Sequence, residues 1–128
     1  MGAMGVDIVR ISRVREITER RGERFLGRYF SKGEIDYSLR KHDPYPHLAA
    51  RFAAKEAAYK AFSAAGIGDL PLSSFEVIVR PSGVPTLRVA RSASRQVSSA
   101  NVSLSLSHDG DYTVAVVALF GDITRSKD

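Results

Sequence analysis

A chain of 128 residues with 44% hydrophobic content has the length of one domain, spanning 1–128, and enough apolar material for its core. No apolar run approaches the roughly 20 residues of a membrane span, no apolar core follows the first charges as in a signal peptide, and the absence of cysteine removes disulfides, thiolate metal sites and a cysteine nucleophile together. Cytoplasm is therefore the expected compartment, and the net charge of +5 points to an anionic partner such as nucleic acid, a phosphorylated ligand or an acidic protein.

In chain order, Met4 to Ile8 alternates and predicts a short strand. Ser12 is placed to cap a helix running to about Arg21, with Gly22 near its end as a stop signal. This region is rich in arginine: Arg10, Arg13, Arg15, Arg20, Arg21, Arg24 and Arg28 face only Glu16, Glu19 and Glu23 as neighbours in sequence. Phe25 to Phe30 suggests another helical turn. Ser31 with Glu34 three residues later forms a capping-box pattern that opens a helix from Gly33 to about Arg40. "KHDPYPH" then breaks the chain, and a long helix begins at His47 or Leu48 and stops at Gly66 and Gly68. Phe75–Val79 and Thr86–Ala90 read as an antiparallel hairpin joined by "RPSGVP". Arg91–Ala100 is expected to be helical. Asn101–Ser107 alternates as a half-buried strand does, and Tyr112–Phe120 reads as a buried strand, with the "HDGD" turn between them. Helices early and strands late make the class α+β with an antiparallel sheet.

The stretch "RFAAKEAAYKAF" holds the first chemical clue. Glu56 and Lys60 stand four residues apart, where an ordinary exposed pair contributes about 0.2–0.5 kcal/mol to the helix. Here they share an arc with Phe52, Ala49, Ala53 and Ala57, where small side chains let a ligand or another backbone come close. A carboxylate in such a place needs a partner, because burying it alone is costly; a metal ion, a buried base or a structural ion pair would each serve. Asp7 ends a short apolar strand, where turn or capping roles are common. Paired with Glu56 it supplies two hard oxygen ligands, the way Mg²⁺ is held together with waters and substrate phosphates. Lys60 could then meet a phosphate oxygen or protonate a leaving group. His108 ends an alternating strand at a turn, an unremarkable place for a structural histidine. His42, Asp43 and His47 share one loop, but its two prolines and irregular spacing argue against a metal cluster. Neither a P-loop nor a G-x-G-x-x-G, zincin or nucleophile-elbow pattern is present.

Taken together, "GVDIV", "RFAAKEAAYKAF" and "SLSHDGDYTVAVV" resemble the holo-acyl-carrier-protein synthases, small 4′-phosphopantetheinyl transferases of bacterial fatty-acid synthesis. The middle stretch follows the family's F-x-x-K-E-A-x-x-K-A, and "GIG" at Gly66–Gly68 and "SGVP" at Ser82–Pro85 extend the likeness over nearly the whole chain. Val84 departs from the usual Lys or Arg, in a turn that carries no catalytic residue. The resemblance implies transfer of the phosphopantetheine arm of coenzyme A to a serine of an acyl carrier protein, releasing adenosine 3′,5′-bisphosphate. It implies Asp7 and Glu56 as ligands of Mg²⁺, with Mn²⁺ as a possible substitute, and Arg51, Lys55, Lys60, Gly66 and His108 as contacts to coenzyme A. Lys60 would neutralise charge on the transferred phosphate or assist the leaving group. Asp36, in "KGEIDY", and Glu56 are rival bases for the serine proton. Carrier proteins of this kind are strongly acidic, which gives Arg13, Arg20, Arg21 and Arg24 a docking role. The implied fold is a three-stranded antiparallel sheet packed with a long central helix, assembled as a homotrimer with active sites between subunits.

A small basic nucleic-acid-binding module is the rival from another class. It explains the arginines but leaves Asp7, Glu56 and His108 idle, and the chain lacks a recognisable nucleic-acid motif. Phosphoryl transfer, which is mostly positioning plus charge stabilisation, uses all of them.

Overall fold

The computed structural model describes residues 2–90, 97 and 101–121. Strand β1 (Ala3–Arg10) leads directly into helix α1 (Ile11–Arg21), followed by α2 (Glu23–Tyr29), α3 (Lys32–Leu39) and the 20-residue α4 (Tyr45–Ala64). The hairpin β2 (Phe75–Val79) and β3 (Pro85–Val89) follows, then β4 (Val102–Asp109) and β5 (Tyr112–Leu119). An antiparallel three-stranded sheet in the order β1-β5-β4 is the main layer, and β2-β3 form a separate pair. The α+β expectation with a three-stranded antiparallel sheet holds. The helix expected at Arg91–Ala100 lies outside the described residues except for Val97, which is buried.

Period two along β1 sends Ala3, Gly5, Asp7 and Val9 toward α4 and leaves Met4, Val6 and Ile8 on the opposite, exposed face. At Gly5 the two elements nearly touch. A Cβ there would sit 2.0 Å from the Ala57 carbonyl oxygen and 2.6 Å from the Ala61 nitrogen, so glycine alone permits the approach. The alanines of α4 do the same from the other side: Ala53, Ala54, Ala57, Ala58 and Ala61 are all fully buried against the sheet and the β2-β3 pair. A second apolar cluster joins α1 and α2 to the first half of α4 through Val14, Phe25, Phe30 and Leu48.

Three expectations need correction. Ser12 does not cap α1, which already begins at Ile11. The cap comes from the distant β4–β5 turn: the Ile11 N–H donates to the Asp111 carbonyl at 2.7 Å, the Ser12 N–H donates to the Asp111 carboxylate at 3.0 Å, and the Ser12 hydroxyl donates to the same group. A carboxylate is favourable at a helix N-terminus, and none stands in the first turn of α1 itself. Helix α4 begins at Tyr45 rather than His47 or Leu48, because Pro46 falls in the first turn, where a missing N–H costs nothing. Strand β4 runs two residues further than Ser107, so His108 belongs to the sheet and pairs with Thr113. The capping box at α3 is present as expected: the Glu34 N–H donates to Ser31 Oγ at 3.1 Å and the Ser31 N–H to Glu34 Oε1 at 2.9 Å.

Candidate active site

Asp7 and Glu56 line one cleft of about 520 Å³, together with Arg10, Arg13, Phe52 and Tyr112. Asp7 arrives there because it is on the α4-facing side of β1, and Glu56 because it lies at the edge of the buried alanine face of α4. Burial raises the proton affinity of Glu56, and the neighbouring Asp7 carboxylate raises it further; Lys60 and Arg13 pull the other way. Lys60 Nζ donates to Asp7 Oδ1 at 3.1 Å and to the Val6 carbonyl at 3.0 Å. The three residues singled out by spacing are thus one cluster: two carboxylates close enough to repel and an ammonium bridging to one of them.

That donor set fits a hard divalent cation. Two half-buried carboxylates on a common cleft give oxygen ligands from two rigid elements, and a cation held by them would offset both the burial and the Asp7 repulsion that raise Glu56. Among the described residues no group of three or more His, Asp or Glu side chains gathers at one point, so waters and substrate phosphate oxygens would complete the shell.

A second cleft, of about 380 Å³, holds Arg51 and His108 along with Tyr37 and His47. Arg51 is only 4% exposed. Its Nη1 donates to the His47 carbonyl at 3.1 Å, and its guanidinium lies over the Tyr37 ring at 4.3 Å. Burial lowers its pKa, with Tyr37 and Glu34 acting in the opposite direction, yet a guanidinium stays charged in proteins. At 3.6 residues per turn, Arg51 and Glu56 point about 140° apart around α4, and the two clefts share no lining residue. Within a single chain the sequence-predicted site is therefore two half-sites on different sides of one helix.

Arg13, Arg20, Arg21 and Arg24 are brought together along a groove of about 500 Å³, with Arg10 and Arg28 added. This groove shares Arg10, Arg13, Ile17, Phe25 and Phe52 with the acidic cleft, so the basic surface leads into it.

Other expected residues fall elsewhere. Lys55 is fully buried; its Nζ lies 2.7 Å from Glu34 Oε1 and donates to the Phe75 carbonyl. Glu34 Oε2 accepts the Val77 N–H at 2.8 Å, so this ion pair ties α3, α4 and β2 together in the interior instead of facing a ligand. Asp36 is exposed on α3 and lines neither cleft. Gly66, with φ of 86°, closes the far end of α4, away from both. The sequence reading missed Glu34 as the partner of Lys55, though the capping box already fixed where its carboxylate points. It also missed Tyr37 and His47, whose spacing of fourteen and four residues before Arg51 carries no motif.

A model of the 4′-phosphopantetheinyl transferase superfamily matches residues 3–117. A holo-[acyl-carrier-protein] synthase of Carboxydothermus hydrogenoformans is 39% identical over 124 residues, covering 95% of this chain and all of the relative. Among solved structures, an ACPS–CoA complex of Chronobacterium ammoniagenes is similar with a TM-score of 0.78 at 31% identity, covering 98% of this chain and 99% of that one. The holo-[acyl-carrier-protein] synthase of Neisseria meningitidis has a TM-score of 0.79 at 27% identity, covering 93% and 98%.

Proposed function

The chain belongs to the 4′-phosphopantetheinyl transferase superfamily, and from that membership we propose that it moves the phosphopantetheine group of coenzyme A onto a serine of apo acyl carrier protein. The observation that carries this reading is the Asp7–Glu56–Lys60 cluster, which opens onto a groove lined by six arginines. In the reaction the serine oxygen attacks the phosphorus bearing pantetheine, and the bond from that phosphorus to the adenosine 5′-phosphate oxygen breaks. The serine proton leaves to a base, and adenosine 3′,5′-bisphosphate departs.

Asp7 and Glu56 would hold Mg²⁺, with Mn²⁺ as a substitute, and the bound cation would neutralise charge on the pyrophosphate. Lys60 is poised at the same point: half its side chain is exposed, so it can exchange its hold on Asp7 for a phosphate oxygen and stabilise negative charge as it develops. Position favours Glu56 over Asp36 as the serine base within one chain, because Asp36 lines neither cleft. Arg51 and His108 would take the phosphates of the nucleotide end. Lys55, sealed against Glu34, would support the site from within instead of touching coenzyme A, and Gly66 is left as a loop residue near the helix end. The arginine groove, with Arg13, Arg20, Arg21 and Arg24, would dock the acidic carrier and speed encounter.

A homotrimer with interfacial active sites agrees with two features. The outer face of the main sheet exposes Met4, Val6 and Ile8 at 66%, 56% and 62%, and register places Val116 and Val114 beside the last two. An apolar sheet face of this kind marks an interaction surface, and copies of the chain would cover it. The two half-sites on opposite sides of α4 would then face one another across a subunit boundary.

The test is to incubate the protein with coenzyme A, Mg²⁺ and an apo acyl carrier protein and to weigh the carrier. Gain of one phosphopantetheine, abolished by chelator, is expected. An unmodified carrier across several carrier proteins would sink the transferase reading.

A further inference from the structure

The Arg51–His108 cleft holds a second histidine, His47. His47 stands one turn before Arg51 on α4 and lines the cleft together with both of them. Its ring packs edge-on against Tyr37, with centroids 5.9 Å apart and planes at 74°, while Arg51 and Lys41 lie over the same tyrosine at 4.3 and 4.6 Å. Arg51 keeps a buried Nε donor with no hydrogen-bond partner among the described residues. The cleft is therefore a concave site with three cationic or protonatable groups and an unused buried donor. That is an arrangement for a polyanion.

We propose that His47 is a third phosphate contact in this cleft, beside Arg51 and His108, and that it takes up a proton when the nucleotide end of coenzyme A binds. This rests on the transferase reading above and adds a binding residue to it.

Every element packed around His47 bears on its charge. From α3 and the loop after it come Tyr37, Lys41 and Asp43; α4 supplies Arg51, and β4 supplies His108. The β2–β3 side offers Val79, Gly83 and Pro85, none of which titrates. In the free protein, burial lowers the His47 pKa, and Arg51, Lys41 and His108 lower it further, against Asp43 alone. Free His47 is thus mainly neutral near pH 7, starting from an ordinary value of 6.5. A phosphate entering among these cations reverses the local field and favours the imidazolium. A group whose pKa rises on binding strengthens binding below its free pKa, and the gain is lost as pH rises through the pKa of the complex.

The experiment titrates the full chain with adenosine 3′,5′-bisphosphate at pH 6.5 and 8.5 by calorimetry, in two buffers of different ionisation heat. His47→Gln, His47→Phe and His108→Gln are measured alongside. The ligand's own phosphates ionise near pH 6, an effect common to all variants that cancels in their comparison. Wild type is expected to weaken between the two pH values by about tenfold more than either His47 variant, since one unit of pKa is a factor of ten. Proton uptake should shrink in both His47 variants and persist in His47-intact His108→Gln. Phe keeps the ring against Tyr37, so its agreement with Gln separates protonation from packing. Equal pH dependence in wild type and the His47 variants would overturn this inference while leaving the transferase reading in place. No binding of the nucleotide to wild type at either pH would overturn both.

Discussion

Lys55 and Lys60 sit on one helix, yet their surroundings predict opposite consequences of removing each charge. Lys55 is sealed inside with Glu34 and has its own pKa lowered by burial, with Glu34 opposing. Breaking that pair leaves an uncompensated buried charge, a change that costs about 3–5 kcal/mol. Glu34→Ala should therefore lower the urea midpoint steeply; a loss below about 1 kcal/mol would show that the pair contributes little. Lys60 is half exposed, where ion pairs contribute about 0–1 kcal/mol, so Lys60→Ala should leave the midpoint nearly unchanged. Its transfer rate should nonetheless fall by about 10²–10³, the usual effect of removing one stabilising donor. Unchanged turnover in single-turnover assays would remove Lys60 from the chemistry. The sequence made Glu56, Lys60 and Asp7 legible because a carboxylate and an ammonium beside alanines have few cheap explanations. It did not separate Lys55 from them, since that depends on a glutamate 21 positions earlier whose burial is set by tertiary packing.

Between elements, the contact that matters most for the site is β1 against α4. It sets the separation of Asp7 from Glu56, and it depends on Gly5. Gly5→Ala would drive a methyl group into the Ala57 carbonyl, forcing the strand away at a cost of about 1–3 kcal/mol. Because Asp7 is two residues along the same strand, metal-dependent activity should fall further than stability accounts for, measured at a temperature where the variant is still folded. Activity tracking the folded fraction alone would mean that the spacing is not critical. The local devices were readable in the sequence: the Ser31–Glu34 box, the Gly22 stop with its φ of 51°, and the Gly110 turn. The start of α1 was not, because its first N–H groups are accepted by Asp111 from the opposite end of the chain. The start of α4 was misplaced because proline ends helices but is also at home in their first turn.

At the scale of the molecule, alternation along β1 has two products. One face brings Asp7 to α4, and the other leaves Met4, Val6 and Ile8 uncovered. If copies of the chain cover that face as proposed, Val6→Glu should put a charge into the contact and shift the protein to monomers in sedimentation, with transfer lost in parallel; an unaltered mass would count against a contact through this face. Motifs in the sequence named Asp7, Glu56 and Lys60 of one cleft and Arg51 and His108 of the other but not Tyr37 or His47, and the partition of Glu56 and Arg51 to different sides of α4 became clear only once each was placed in its cleft. The central claim, that coenzyme A is held between a carboxylate half-site from one copy and a histidine–arginine half-site from another, has a direct measurement. Glu56→Gln and His108→Ala are refolded separately and then together in equal amounts, and phosphopantetheine transfer to the carrier is counted per protomer. Each alone should be nearly inactive, and random assembly of the mixture should restore about a quarter of the sites. A mixture no more active than its components, beside an active wild type, would contradict a shared site.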